Sequence, residues 1–174
     1  MDAIQEHIAT FRRLTPDELG ECYGKCAIVE GMEDNLADER VLSFFLEIVA
    51  DIDEYDLARI AALKILQLWS APSDDIHLRV GRELAHVIVS EQDVLVQQWA
   101  AIAAENFVDV PDVFAAVVSA LGDRHADLDV RHNCLSAVEN LRGSEQAKNA
   151  LRQVVADTEM GANVRRILTE WSSH

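Results

Sequence analysis

Residues 127 to 141, DLDVRHNCLSAVENL, carry side chains that could form part of a metal site. Histidine and cysteine are zinc ligands, so His132, Cys134 and the nearby His125 are candidates for that chemistry. His132 and Cys134 lie two positions apart, however, and on a helix their side chains point about 200° away from each other. They are poorly placed to bind one metal ion, which favours surface or helix-end positions for the histidines.

Two other spacings are also poor ligand sets. His77 and His86 are nine positions apart, which is half a turn out of phase on a helix with 3.6 residues per turn. Cys22 and Cys26 lie one helical turn apart, but neither a histidine nor a second cysteine pair stands beside them. With Cys134 they make an odd number of cysteines, which favours small buried thiols in a reducing compartment. We predict neither a metal site nor a cofactor.

The motifs that commonly mark an active site do not occur in the sequence. It contains no nucleophile elbow, no glycine-rich phosphate loop and no HExxH pair, and its glycines are scattered. Trp69, Trp99 and Trp171 are interpreted as core residues, because the acidic charge argues against stacking on nucleic-acid bases. The sequence therefore predicts a protein without catalytic residues.

Arg131, in the opening segment, belongs to a pattern that recurs along the chain. An aspartate precedes an arginine by eight residues at three places, and a looser copy runs from Ser90 to Gln97. The three pairs are Asp51 and Arg59, Asp123 and Arg131, and Asp157 and Arg165. The last three copies follow one another at intervals of 34 residues. Periods of roughly 20–50 residues are typical of repeat architectures.

Each copy is followed by an apolar pattern at helical spacing and then by a second helical run, so the repeated unit is a pair of helices. The predicted second helices cover 36–50, 76–89, 113–121 and 145–155. Residues 2–14 predict one amphipathic helix, and TPDE at 15–18 predicts the capped start of another. Further predicted helix starts are SEQD at 90–93 and Ser144, and the predicted helix ends are Gly143 and Gly161.

The segments LDVRHNCLSAV, NVRRIL, DLARIAALKIL and VLVQQWAAIAA resemble the first helices of HEAT and armadillo repeats. The resemblance implies a single all-α domain: a right-handed α-solenoid of HEAT-like helix pairs over residues 36–174, with residues 1–35 as an N-terminal helical cap. In such repeats the arginine of one first helix pairs with the aspartate at the start of a neighbouring first helix. The resemblance therefore implies that Arg59, Arg131 and Arg165 pair with Asp51, Asp123 and Asp157.

The composition predicts a helical protein with an acidic surface. Apolar residues make up 49% of the 174 residues, and the net charge is −16. This charge repels nucleic acids and anionic membranes and attracts a basic partner. The apolar runs are shorter than the roughly 18 residues of a membrane-spanning helix, and the first residues lack the features of a secretory signal. We predict a cytoplasmic protein that binds a basic protein, and neither nucleic acid nor membrane.

The acidic side chains fall into two rows, because all first helices of such a solenoid begin at one edge and all second helices begin at the other. Helix caps, helix dipoles and arginine pairing explain much of the row before the first helices. The acids at the starts of second helices exceed that demand, and we predict that they bind the partner beside the groove of the solenoid. These residues are Glu33, Asp34, Asp38, Glu39, Asp74, Asp75, Asp109 and Asp112.

In size, charge and fold the chain is similar in character to the immunity proteins of bacterial contact-dependent-inhibition and other polymorphic-toxin systems. This similarity implies a non-enzymatic protein that binds and neutralises a basic, nuclease-type toxin domain. The alternative is a HEAT-like enzyme or enzyme accessory, such as a bilin-lyase-like protein, or a general scaffold. DNA glycosylases of this build are disfavoured, because phosphate contacts require a basic groove. Pigment bound to the purified protein would favour the lyase-like alternative.

Overall fold

The computed structural model describes residues 2–14 and 22–173, and all regular secondary structure in these ranges is helical. The predicted all-α class is confirmed, whereas the predicted capping box at 15–18 lies outside the described residues. The α-helices are α1 (Ala3–Arg13), α2 (Cys22–Glu30), α3 (Glu39–Ala50), α4 (Asp56–Leu68), α5 (Asp74–Ser90), α6 (Val94–Ala103), α7 (Pro111–Gly122), α8 (Leu128–Glu139), α9 (Glu145–Val154) and α10 (Gly161–Ser172). Short 3-10 helices cover Glu33–Asn35 and Ala104–Asn106.

The helices alternate between two layers. Helices α2, α4, α6 and α8 pack side by side in one layer, and α1, α3, α5, α7 and α9 pack side by side in the other. Consecutive helices also contact each other across the layers, as α3 does with α4, α7 with α8, and α9 with α10. Each apolar stripe is therefore covered by helices that are close in sequence, so the stability of one helix depends on its neighbours.

Apolar side chains at helical spacing fill the space between the layers. In α4, Ala58, Ala62, Leu63 and Leu66 are fully buried, and they recur at the spacing of one helix face. Burial of each leucine contributes roughly 1.5–3 kcal/mol, and the small alanines allow neighbouring helices to approach closely. The core is thus made by the same periodic residues that predict the helices.

Side-chain oxygen atoms cap six of the helices within the described ranges. The capping residues are Asp2, Asp38, Ser73, Asp93, Asp127 and Ser144. Ser144 was correctly predicted, but the predicted start at Ser90 is wrong. The side chain of Ile88 is buried, so α5 continues to Ser90, whose hydroxyl donates to the carbonyl of His86. Asp93 instead caps α6 by accepting from the Val96 N–H at 2.9 Å.

The two predicted helix ends have different outcomes. Gly143 lies in the turn after α8, with a φ of 88° that favours glycine. Gly161 is not a helix end, because it is the first residue of α10 and is buried. A Cβ atom at this position would lie 2.5 Å from the carbonyl oxygen of Val155. The close approach of α10 to the end of α9 therefore excludes a side chain there.

Gly81 permits a second close approach, between α5 and the residue that precedes α7. A Cβ atom on Gly81 would lie 2.8 Å from Cγ2 of Val110. We expect Gly81→Ala to lower the free energy of unfolding by up to about 2 kcal/mol in urea denaturation, because overpacking outweighs the roughly 1 kcal/mol gain in helix propensity. Gly122→Ala is the matched control, since no atom would lie within 4 Å of its Cβ. Equal stabilities of the two variants would contradict the steric explanation.

Candidate functional site

Arg131 has an architectural role. Its side chain is buried between repeats, where Nε donates to the carbonyl of Leu121 at 3.1 Å and Nη2 donates to Asp157 at 2.8 Å. The carbonyl belongs to the end of the preceding helix, and the carboxylate precedes α10. Arg131 therefore ties three successive segments of the chain together, and it is not available to a ligand.

Arg59 makes the equivalent contacts in α4, two helix pairs before Arg131 in α8. Its guanidinium donates twice to the carbonyl of Val49, at 3.1 and 3.3 Å, and it forms an ion pair with Glu91. The side chains of Arg59 and Glu91 are only 1% and 5% exposed. As with Arg131, the carbonyl lies ten residues before the arginine. The recurrence shows that the repeat sets this contact geometry.

The pairing implied by the HEAT resemblance is correct for one arginine. Arg131 pairs with Asp157 of the next repeat, but Arg59 pairs with Glu91. Among the described residues, the side chain of Asp51 accepts only from the backbone N–H of Asp53. Asp123 likewise accepts from the N–H of His125. These two aspartates close local turns, so their side chains do not reach a neighbouring helix.

Arg165 departs furthest from the implied pairing. It donates to the carbonyl of Val155 at 2.7 Å, again ten residues earlier, and among the described residues it contacts no carboxylate. Asp157, which precedes Arg165 by eight residues, is already bound by Arg131 from the other side. The arginine therefore pairs forward to the next repeat, and α10 is followed by no further described helix.

Two further polar contacts accompany this series: one from Gln97, in the looser copy of the pattern, and one from Lys25, which the sequence pattern did not reveal. Nε2 of Gln97 donates to the carbonyl of Ile88 at 2.8 Å, in the register that arginine occupies elsewhere. Lys25 on α2 is buried and forms an ion pair with Glu54 at 2.5 Å. The contact to the preceding helix end, nine or ten residues earlier, is thus kept in α4, α6 and α8, whereas Lys25 of α2 contributes an ion pair.

A second series of contacts lies at the opposite ends of the first helices. Asn140 donates to the carbonyl of Glu105 at 3.1 Å, and Asn106 donates to the carbonyl of Gln67. The two asparagines are 34 residues apart, the interval of the repeat. The 34-residue spacing is visible in the sequence, but the predictions considered acidic and basic residues and therefore missed the two asparagines.

The residues of the opening segment do not converge on a metal site. Cys134 is fully buried, and burial raises the pKa of its thiol to about 12, which suppresses the thiolate form. Within the part of the chain that the structure describes, no three histidine, cysteine or acidic side chains are grouped so as to hold a metal ion. His77 stacks on Phe107, with ring centroids 4.7 Å apart, and its Nε2 contacts Asp109 at 2.9 Å.

Half of the predicted partner-binding acids are engaged within the chain. Asp38 caps α3 and pairs with Arg40 at 2.7 Å, and the hydrogen bonds of Arg40 lower the pKa of Asp38 to about 2. Glu39 pairs with Arg79 of α5. The remaining two engaged acids meet basic side chains of α5: Asp109 contacts His77 and Asp112 contacts Arg82.

The other half, Glu33, Asp34, Asp74 and Asp75, are exposed. Their side chains make no hydrogen bond or ion pair to any described residue. Glu33 and Asp34 border a cleft of about 280 Å³ that is also lined by Leu68 and Trp69. Asp74 and Asp75 form the first turn of α5. The second-helix edge, defined by these four residues, therefore retains uncompensated charge, and two of its carboxylates border the cleft.

The acids before the first helices have mainly structural contacts. Asp93 and Asp127 cap α6 and α8, and Glu54, Glu91 and Asp157 accept from basic side chains of the preceding repeat. This agrees with the prediction that the repeat explains much of this row. Asp53, Asp129 and Glu159 are exposed and accept no such bond from the described residues.

Asp157 predicts a measurable pH dependence. The backbone N–H of Met160 and the guanidinium of Arg131 lower its pKa to about 2. Because an unfolded aspartate titrates near roughly 3.9, this group stabilises the fold above that pH, and the contribution is lost as the pH falls towards 2. We expect Asp157→Asn to reduce stability at pH 7 and to weaken the loss between about pH 4 and 2. If the carboxylate were not stabilising, the free energies of unfolding of the wild type and of Asp157→Asn, measured by urea denaturation, would change equally with pH over this range.

Comparison with known proteins identifies no relative. No protein-family model matches the chain, and no curated protein matches its sequence at a significant level. Among the described residues, no helix has the length and apolar character needed to cross a membrane. The functional interpretation therefore depends on the chemistry of the chain itself.

Proposed function

We propose that this chain is a right-handed α-solenoid of HEAT-like helix pairs, with residues 1–35 as an N-terminal cap and residues 36–174 as the repeats. The alternation of α1 to α9 between two layers supports this arrangement. So do the contacts of Arg59, Gln97 and Arg131, each of which reaches the end of the preceding helix.

The proposed activity is the binding and neutralisation of a basic, nuclease-type toxin domain by a non-enzymatic, cytoplasmic immunity protein. The observation that carries this proposal is the uncompensated second-helix edge: Glu33, Asp34, Asp74 and Asp75 are exposed on a chain of net charge −16, and no described side chain neutralises them. Exposed charges of one sign raise the rate of encounter with an oppositely charged partner and favour it over acidic ones.

The genomic neighbourhood provides the candidate partner for a direct test. A neighbouring reading frame that encodes a secreted protein with a basic C-terminal domain would supply the toxin. Co-expression of this chain with that toxin domain should restore the growth that the toxin alone prevents. Restoration by a chain that does not bind the purified toxin domain would contradict neutralisation by binding. Failure to restore growth would contradict the immunity role for that pair.

The salt dependence of binding is a second test of the same chain and toxin domain. If the second-helix edge attracts the toxin domain, the association rate constant should fall at least tenfold between about 50 and 500 mM NaCl, because exposed charges are screened over about 8 Å at physiological ionic strength. Stopped-flow measurement separates this effect from the dissociation rate constant, which should change less. An association rate constant that is independent of salt would contradict electrostatic attraction.

A further inference from the structure

Exposed apolar side chains are concentrated at one edge of the molecule. Of the seven large apolar residues that are exposed among the described residues, six lie in the first turns of α4, α6 and α8, in the segment just before α4, or in the last turn of α5, which precedes α6. They are Ile52, Leu57, Val89, Val94, Leu95 and Leu128, and we call this set the first-helix edge. Single exposed apolar residues are common on soluble proteins, whereas a group at one edge marks an interaction surface.

The starts of α4, α6 and α8 are in register across this edge. Arg59, Gln97 and Arg131 donate to carbonyls ten, nine and ten residues earlier, each near the end of the preceding helix. Arg59 also pairs with Glu91 just before α6, and Gln98 of α6 donates to Asp127, the cap of α8, at 3.1 Å, so the starts of the three helices are neighbours. The first residues are Asp56 in α4, Val94 in α6 and Leu128 in α8, and the second residues are Leu57, Leu95 and Asp129.

In this register all three helices present exposed apolar side chains, with Leu57 and Leu128 on either side of Val94 and Leu95, and an acid lies beside them at each end. Val94 and Leu95, on the middle helix, are 42% and 56% exposed. Asp56 lies on the side of α4, and Asp129 on the side of α8. Because packed helix axes are roughly 8–10 Å apart, the three helices form a strip of about 16–20 Å.

The acids near α4 are not fully compensated by the chain. Burial and the charges of Asp93 and Glu91 raise the pKa of Asp56, while its contact with Arg59 is long, at 3.7 Å. Arg59 is bound more closely by Glu91. A cleft of about 290 Å³ opens beside these residues and is lined by Ile52, Asp56 and Asp93. The cleft therefore combines an apolar wall with carboxylates that would be stabilised by an added positive charge.

Charge complementarity identifies the occupant. A second copy of this chain would bring another net charge of −16 to the same edge, so self-association is disfavoured. We propose that the first-helix edge binds a cationic amphipathic helix of a basic protein, with apolar side chains against Val94 and Leu95 and lysine or arginine at each end. At 1.5 Å per residue, a strip of about 16–20 Å accommodates roughly 11–13 helical residues.

This inference rests on the proposed binding of a basic protein, but it can be tested without a toxin. The probe is a synthetic 15-residue peptide with leucines at helical spacing in its centre and lysines at both ends. A permuted peptide of the same composition, without the helical pattern, is its control. Each is titrated into the full-length, ¹⁵N-labelled protein, and the amide chemical shifts and the dissociation constant are measured.

We expect the patterned peptide to bind at least tenfold more tightly than the permuted peptide, with the largest shift changes at residues 51–58, 89–96 and 126–130. Leu57→Gln with Leu95→Gln should weaken this binding at least tenfold, because leucine anchors lose their apolar contacts. Both positions are exposed, so the helical circular dichroism spectrum should be unchanged.

Several outcomes would overturn the proposal. They are equal affinity for the two peptides, shift changes confined to the second-helix edge, an unaffected double variant, or no binding of the patterned peptide. Wild-type dimers that the double variant dissociates would assign the edge to a second copy instead. None of these results decides whether the chain neutralises a toxin, because the growth and association measurements use the toxin domain itself.

Discussion

Replacement of Arg59 by alanine should lower the free energy of unfolding by about 3–5 kcal/mol, because removal of one partner leaves the other charge of a buried pair uncompensated. Glu91 would keep its buried carboxylate without its ion-pair partner, and the carbonyl of Val49 would lose both side-chain donors. Urea denaturation followed by circular dichroism measures this change. A loss below about 0.5 kcal/mol would show that the pair is solvated and would reopen a ligand-binding role for the repeated arginine.

The other two arginines provide a graded control for Arg59. Arg131→Ala should cost about 1–3 kcal/mol, because Asp157 also lies 3.4 Å from Arg124, whereas Glu91 forms no second ion pair with a described residue. Both carboxylates keep two backbone N–H donors. Arg165→Ala should cost under about 1 kcal/mol, since Arg165 is exposed and makes one carbonyl contact. A loss for Arg131→Ala equal to that for Arg59→Ala would contradict partial compensation by Arg124, and an equal loss for Arg165→Ala would contradict the view that burial of an ion pair determines its contribution.

Charge reversal at the second-helix edge should abolish binding of the basic toxin domain while the fold is kept. We expect the triple variant Asp34→Lys, Asp74→Lys and Asp75→Lys to weaken binding at least a hundredfold, because three attractions become repulsions in one region. All three side chains are exposed and make no bond to a described residue. Ser73 still caps α5, so stability should fall only through the helix dipole, by about 1–2 kcal/mol.

A second triple variant separates local charge from net charge. Glu6→Lys, Glu159→Lys and Glu170→Lys change the net charge by the same amount at exposed positions that belong to neither named set. Glu159 lies before α10, and Glu170 loses its ion pair with Arg166. This variant should bind the toxin domain within about threefold of wild type at physiological salt, where charges beyond about 8 Å are screened. Calorimetric titration compares the two variants. Equal losses would mean that overall charge, and no particular surface, attracts the partner.

The two proposed surfaces use different parts of the chain's chemistry. The second-helix edge offers exposed carboxylates near the cleft at Leu68 and Trp69, and the first-helix edge offers exposed leucine and valine with acids at its ends. The first is expected to govern the association rate, because charge acts at a distance. The second is expected to govern the dissociation rate, because apolar contacts form only after docking.

Sequence periodicity predicted the helices closely, because helix formation depends on local patterns. The second helices predicted at 36–50 and 113–121 correspond to Glu39–Ala50 and Pro111–Gly122. Helix caps were less predictable: Ser144 was recognised, but at 90–93 the serine ends α5 and Asp93 caps α6. Which of two polar residues becomes the cap depends on how far the preceding helix is held in the core.

Composition and repeat spacing by themselves determined the helical class, the acidic charge and the recurrence of the arginines. Only the tertiary structure decided which carboxylate each arginine reaches, because Glu91 and Asp157 are brought to Arg59 and Arg131 by the packing of neighbouring helices. It also decided which acids find a partner, since Asp109 contacts His77 and Asp112 contacts Arg82 of α5, whereas Asp74 and Asp75 make no hydrogen bond or ion pair to a described side chain. Leu57 and Leu66 are both leucines of one helix, yet one is 49% exposed and the other is buried. The apolar pattern of the sequence shows which residues can be buried, and the placement of the next helix determines which of them are buried.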